Sequence, residues 1–143
     1  MVQLTKQLSG LLVVGTLCFA ACKSSETVPT NSVSLGMNQS ARLSSGVAVR
    51  VDSIQDSRCP EGVTCIWAGQ AKVKMLLSKD SDSTMVSLIL EPGVMAGSPK
   101  RLDSTNVSLS SETYKVILKD VNPYPTTTNQ SLPKSAVVEV TKV

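Results

Sequence analysis

An all-β fold, built as a single antiparallel β-sandwich of about seven strands, is predicted for this 143-residue chain. Three observations carry the prediction. From about Val33 onward, apolar side chains recur at every second position, the period of a half-buried strand. Clusters of Gly, Pro, Asn, Asp and Ser separate those stretches. Beyond the first two dozen residues, no segment of helical length carries apolar residues at three-four spacing.

Taken in order, Val33–Leu35 and Ala41–Leu43 are short candidates. Val47, Val49 and Val51 alternate with Ala48, Arg50 and Asp52, in a stretch running to Ile54. Ala71, Val73, Met75 and Leu77 alternate with Lys72 and Lys74, and Leu76 breaks the pattern. Val86, Leu88 and Leu90 follow, then a short stretch at Val107–Leu109. Tyr114, Val116 and Leu118 alternate with Lys115 and Lys119, and Ala136, Val138 and Val140 alternate with Glu139 and Thr141. The polar run Lys79–Ser83 predicts a hairpin turn between Ala71–Ser78 and Thr84–Leu90. Glu91-Pro92-Gly93 ends the second arm, since proline removes a ladder donor. Asn122-Pro123-Tyr124-Pro125 opens a long loop running to about Pro133. Strands so spaced suit a sandwich, immunoglobulin-like in general architecture, better than a barrel.

Composition narrows function by exclusion. The net charge is +3, and the basic residues are scattered without interleaved aromatics, so no nucleic-acid partner is implied. The chain has no His, which removes Ser-His-Asp and Cys-His nucleophile sets and most zinc sites. No catalytic set, cofactor or metal is implied. A pair of carboxylates that cleaves glycosides would be an arbitrary choice among 11 acids. Asp80-Ser81-Asp82 has calcium-ligand chemistry but reads as solvated turn carboxylates, because calcium takes six or more oxygens. Asn38, Asn106 and Asn129 each begin an Asn-x-Ser triplet, which matters only in a eukaryotic secretory route.

The N-terminal segment is of another kind. Lys6 precedes an uncharged, mostly apolar run, Leu11–Ala21, which is short for a membrane span and closes on Ala20-Ala21. Cys22 follows, and the chain turns polar at once with Lys23-Ser24-Ser25-Glu26. This resembles a bacterial lipoprotein precursor, with Phe19 where that pattern prefers Leu. The resemblance implies a signal peptide over residues 1–21, a lipidated Cys22 with a flexible tether over 22–32, and a domain over 33–143. The other reading is an ordinary secretory signal that leaves Cys22 a free thiol. Either places the mature chain outside the cytosol. Lys23 leans toward the outer membrane, with the domain facing the periplasm or the cell exterior. Asp52-Ser53-Ile54, Asp82-Ser83-Thr84 and Asp103-Ser104-Thr105 resemble the O-glycosylation acceptor triplet of one bacterial phylum.

With Cys22 acylated, Cys59 and Cys65 remain, and an oxidising compartment would pair them. Two free thiols or a soft-metal site are the rival readings. The pair lies in the densest constellation of the chain, Asp56-Ser57-Arg58-Cys59-Pro60 and Cys65-Ile66-Trp67-Ala68-Gly69, expected as a strand-to-strand crossover. These residues, with the Pro-Tyr-Pro turn at 123–125, resemble an uncharacterised family of small exported bacterial β-domains. That family has no activity to carry over. Arg58 can fork onto Asp56 or Glu61, Trp67 can pack beside the disulfide in the core, and Gly69 suits a bulge or close backbone approach. The same loop can instead present Asp56, Arg58, Glu61 and Trp67 to an envelope protein or small ligand. The function expected is a non-enzymatic, lipid-anchored binding or structural module of the envelope. Its alternatives are an inhibitor of an extracellular hydrolase, presenting the braced loop 59–65, and a carboxylate-based enzyme.

Overall fold

The computed structural model describes residues 31–93 and 99–143. Within them are eight strands: β1 (Ser32–Gly36), β2 (Ser40–Arg42), β3 (Ala48–Asp56), β4 (Ala71–Lys79), β5 (Asp82–Leu90), β6 (Ser104–Leu109), β7 (Glu112–Asn122) and β8 (Ser135–Lys142). They form two antiparallel four-stranded sheets, in the orders β1-β8-β7-β6 and β2-β3-β4-β5. The sandwich class is as expected. The strands number eight where about seven are expected, and the short candidate near Ala41–Leu43 is β2, which pairs with β3 through Ser40–Arg42. The β1–β2 and β5–β6 connections change sheets and the others join neighbouring strands of one sheet, so each sheet is largely a meander. That strand order differs from the grouping of immunoglobulin domains, with which the chain shares the two-layer architecture.

The alternating residues make the core. Val47, Val49, Val51, Val73, Met75, Leu77, Val116, Leu118, Val138 and Val140 are fully shielded from solvent. Tyr114, 1% exposed, is the largest fully buried side chain. Two irregularities in register interrupt the alternation, one between Val51 and Ser53 in β3 and one between Leu118 and Asp120 in β7. Each inserts one residue and reverses which parity faces inward. Val47, Val49 and Val51 point to the core before the first, whereas Ile54 packs against the core after it. Tyr114, Val116 and Leu118 point inward before the second, and Val121 after it. The two bulges thereby turn Asp56 and Val121 into the interior at one end of the sandwich.

At the other end, the β4–β5 turn holds only Asp80 and Ser81, tighter than the five-residue run the sequence predicts. Ser110 (φ 52°) and Ser111 (φ 64°) turn β6 into β7 in the left-handed region, the geometry of a type I′ hairpin without its usual Asn-Gly. The Ser110 N–H donates to Asp82 Oδ2 at 3.0 Å, and its hydroxyl donates to the Lys79 carbonyl at 3.1 Å, fastening the two turns together. Asp82, expected as a solvated turn carboxylate, is therefore a fastening between turns.

Beside these turns, Glu112 is surrounded by Lys142, Lys79 and the Tyr114 hydroxyl. Hydrogen bonds from Lys142, Lys79 and Tyr114 hold its carboxyl down to about 2. A carboxylate depressed in the folded state adds stability above its unfolded value, and the gain disappears as pH falls through the folded value. The prediction is that stability declines from about pH 4.5 to about pH 2 and that Glu112→Gln flattens this slope. Chemical denaturation across that range measures it, and an unchanged slope in the variant would assign acid sensitivity elsewhere.

β1 begins at Ser32, so the last position expected as tether belongs to a strand, and the Asn31 carbonyl accepts from the Val140 N–H at 2.8 Å. The signal segment, Cys22 and the rest of the expected tether up to residue 30 lie outside the described residues. Among the described residues, no helix is long and apolar enough to cross a membrane.

Candidate functional site

β3 and β4 pair directly, so residues 57–70 form a long hairpin loop at one end of one sheet rather than the crossover expected. Its stem continues the ladder: Ser57 N–H donates to the Gln70 carbonyl and Cys59 N–H to that of Ala68, both at 2.9 Å. Gly69 sits at φ +69°, and a Cβ there would lie 1.9 Å from the Ser57 carbonyl oxygen. Of the bulge or close backbone approach expected of this glycine, the close approach is present. Cys59 and Cys65 are joined by a disulfide, with their Cα atoms 5.9 Å apart, which closes the tip of the loop. Closing so short a loop restricts the unfolded chain by about 2 kcal/mol. Reduction is therefore expected to lower stability by about that amount without unfolding the sheets. Urea titration with and without reductant measures it, and global unfolding on reduction would contradict this.

A second loop, 123–134, leaves β7 through a cis Asn122–Pro123 peptide and packs on the first. Glu61 N–H donates to the Pro125 carbonyl at 3.0 Å, and Glu61 forms a parallel bridge with Thr126. The Tyr124 hydroxyl donates to the Cys59 carbonyl at 3.1 Å. Asn129 donates to the Tyr124 carbonyl and accepts from the Thr126 N–H, bracing the second loop from within.

Arg58 lies where the loops and strand ends meet, and it is 5% exposed. Its Nε donates to Asp56 Oδ1 at 2.8 Å and its Nη2 to Asp56 Oδ2 at 2.7 Å, a two-point fork. Nη2 also donates to the Val121 carbonyl at 2.8 Å, on the strand end that follows the β7 bulge. The guanidinium stands 4.6 Å from the centroid of the Tyr124 ring. Lys134 adds a second cation, 3.4 Å from Asp56 Oδ2, while donating to the Pro123 carbonyl at 2.7 Å. Burial pushes the Asp56 carboxyl up, but the hydrogen bonds and charge of Arg58, helped by Lys134, overcome it and hold the group below the usual carboxylate range.

This geometry redistributes the expected site residues. Arg58 forks onto Asp56 and not onto Glu61, because the β3 bulge aims Asp56 inward beside it. Both side chains are sealed, at 3% and 4% exposure, so neither is presented to a partner. Glu61 is exposed and joins the second loop through its backbone. The expectation that Trp67 packs in the core beside the disulfide is overturned: Trp67 is 81% exposed. Residues 66 and 67 lie on the outside of a loop whose inner positions are taken by Arg58 and Tyr124. Ile66 is fully exposed and Val63 is 45% exposed, and neither stands out in the sequence as a site residue. A mostly apolar groove of about 390 Å³ runs beside them, lined by Arg58, Cys59, Pro60, Cys65, Ile66 and Trp67.

The arrangement is a rigid mount for an apolar tip. The two signature segments and the Pro-Tyr-Pro turn build the mount, while Val63, Ile66 and Trp67 are what it carries. Tyr124 and Lys134 escape sequence reasoning as site residues, although a tyrosine between two prolines is a legible sign of a fixed aromatic. Among the described residues, no group of three or more His, Cys, Asp or Glu is placed to hold a metal ion. No family model, curated protein or solved structure matches the chain.

Proposed function

We propose that this chain is a lipid-anchored protein of the bacterial cell envelope whose sandwich serves as a non-enzymatic recognition module. The leader and Cys22 supply the address, and an oxidising compartment suits the Cys59–Cys65 disulfide. The single observation that carries the binding reading is the exposure of Ile66 and Trp67 on a loop fastened by stem, disulfide and second loop. Exposed tryptophan is among the residue types most often central to interfaces, and a loop already ordered loses little entropy on binding. The placement of the carboxylates argues the same way. Asp52, Asp56 and Glu112 sit in three separate places, each held below its ordinary value by a cation, the opposite of what a general acid requires.

Trp67→Ala tests the reading. Because the side chain is mostly exposed, stability is expected to stay within about 0.5 kcal/mol of the parent. Crosslinking to envelope components through a photoreactive group placed at residue 66 is expected to be lost. A large fall in melting temperature would instead make the loop tip structural. Mass spectrometry of the mature N-terminus checks the address, and an unmodified Cys22 would remove the anchor.

One second reading is favoured by the same protruding tip. A braced apolar loop also fits the cleft of an extracellular hydrolase and would inhibit it. Assays against secreted proteases and lysozymes, with oxidised and reduced protein, separate the two; inhibition that disappears on reduction supports the inhibitor.

A further inference from the structure

We infer that the outer face of the β2-β3-β4-β5 sheet is a second docking surface, made for an anionic phospholipid bilayer. Arg42, Arg50, Lys72 and Lys74 all project from it and are exposed. The register spreads them over the sheet: Arg50 lies opposite Ser40 and Leu76, Lys74 opposite Ser53 and Ser87, Lys72 opposite Gln55 and Ile89. Among the strand residues of this face Asp52 is the one carboxylate, and it accepts from Arg50 Nε at 2.8 Å while feeling the charge of Lys74; Glu91, just past β5 beside Ile89, is paired with Arg101 at 3.4 Å. The remaining carboxylates of these strands are turned away, Asp56 into the Arg58 fork and Asp82 onto the Ser110 N–H. Between the cations lie apolar side chains: Leu76 beside Met85, which is 44% exposed, and Ile89 beside Lys72.

The other sheet is different. Its outer face sets Lys119 against Glu139 at 3.1 Å and Asp120 against Lys100 at 3.0 Å, with Lys115 the strand cation left over among hydroxyls, amides, Ile117 and Val137. Charge is thus one-sided, and a flat cationic face dotted with short apolar side chains complements anionic headgroups over the edge of the acyl region.

The chain's own connection brings this face to a membrane. Ser44, just after β2, donates to Asn31 Oδ1 at 2.5 Å, so the N-terminal segment enters beside the edge strand of the cationic sheet. Residues 23–30 separate that point from Cys22 and span at most about 30 Å when extended. An acyl group on Cys22 would keep the face within reach of the bilayer. The orientation rests on the anchored reading above, whereas the lipid affinity of the face does not.

The test uses the mature chain from residue 22 with Cys22→Ser, so that no acyl group contributes. Cosedimentation is measured with phosphatidylcholine vesicles and with vesicles that also contain phosphatidylglycerol. Binding is expected only with phosphatidylglycerol and only at low salt. Lys72→Gln with Lys74→Gln should weaken it roughly 20-fold. The same charge change on the other sheet, Lys115→Gln with Lys119→Gln, should change it less than about 2-fold, as should Trp67→Ala. Absence of binding at low salt would overturn the proposal, as would equal loss in both lysine pairs, which reports net charge alone. Loss on Trp67→Ala would overturn it too, by moving the lipid contact to the loop. Each result is read without an acyl group, so none depends on whether Cys22 is modified in the cell.

Discussion

Arg58→Ala is expected to lower the stability of the domain by about 3–5 kcal/mol, the usual cost of removing one partner from a buried ion pair. The Asp56 carboxylate would be left sealed with Lys134 and the residue-58 backbone N–H, without the two-point fork, and the Val121 carbonyl would lose its side-chain donor. The contact with the Tyr124 ring would go too, loosening the joint between the loops. In thermal unfolding this amounts to a fall of roughly 15 °C. Arg58→Lys is the informative control: it restores charge but not the planar two-point fork, so it should recover less than half of the loss. A melting temperature within about 2 °C of the parent for Arg58→Ala would show that the pair is dispensable to the fold.

Gly69→Ala should cost about 2–4 kcal/mol. Its new Cβ meets the Ser57 carbonyl oxygen at 1.9 Å and the Arg58 Cα at 3.0 Å, both backbone atoms that cannot swing aside. Relief requires the loop stem to open, breaking the Ser57–Gln70 and Cys59–Ala68 bonds. Gly62 separates this clash from backbone conformation alone. It sits at φ +77° with nothing within 4 Å of the place a Cβ would take, so Gly62→Ala should cost about 1 kcal/mol. Denaturant unfolding of the two variants measures the difference, and equal losses would mean the close approach at Gly69 is absorbed without strain.

The strands are legible because one face of each is buried and the side-chain period is two; Val47, Val49 and Val51 announce their strand unaided. The β6–β7 hairpin is not, since Ser110 and Ser111 hold left-handed conformations uncommon for serine, with Ser110 tied to Asp82 and to the Lys79 carbonyl. In the candidate site, Arg58 with Asp56 and the disulfide are legible as local chemistry. The exposure of Trp67 is not, because hydrophobicity ranks what burial would gain and not whether a place inside is free. Arg58 with Tyr124 fills the space under the loop.

What the residues determined by themselves is local and periodic: the all-β class, the approximate strands, two cysteines near enough in sequence to pair, and a glycine suited to a bulge or a close backbone approach. What required the folded molecule is the direction in which each group points. Two bulges, invisible to a period-two pattern, reverse the facing of the strand ends, sending Asp56 inward to meet Arg58 beside the Val121 carbonyl. That one long-range junction occupies the interior of the loop, and the tryptophan is left outside.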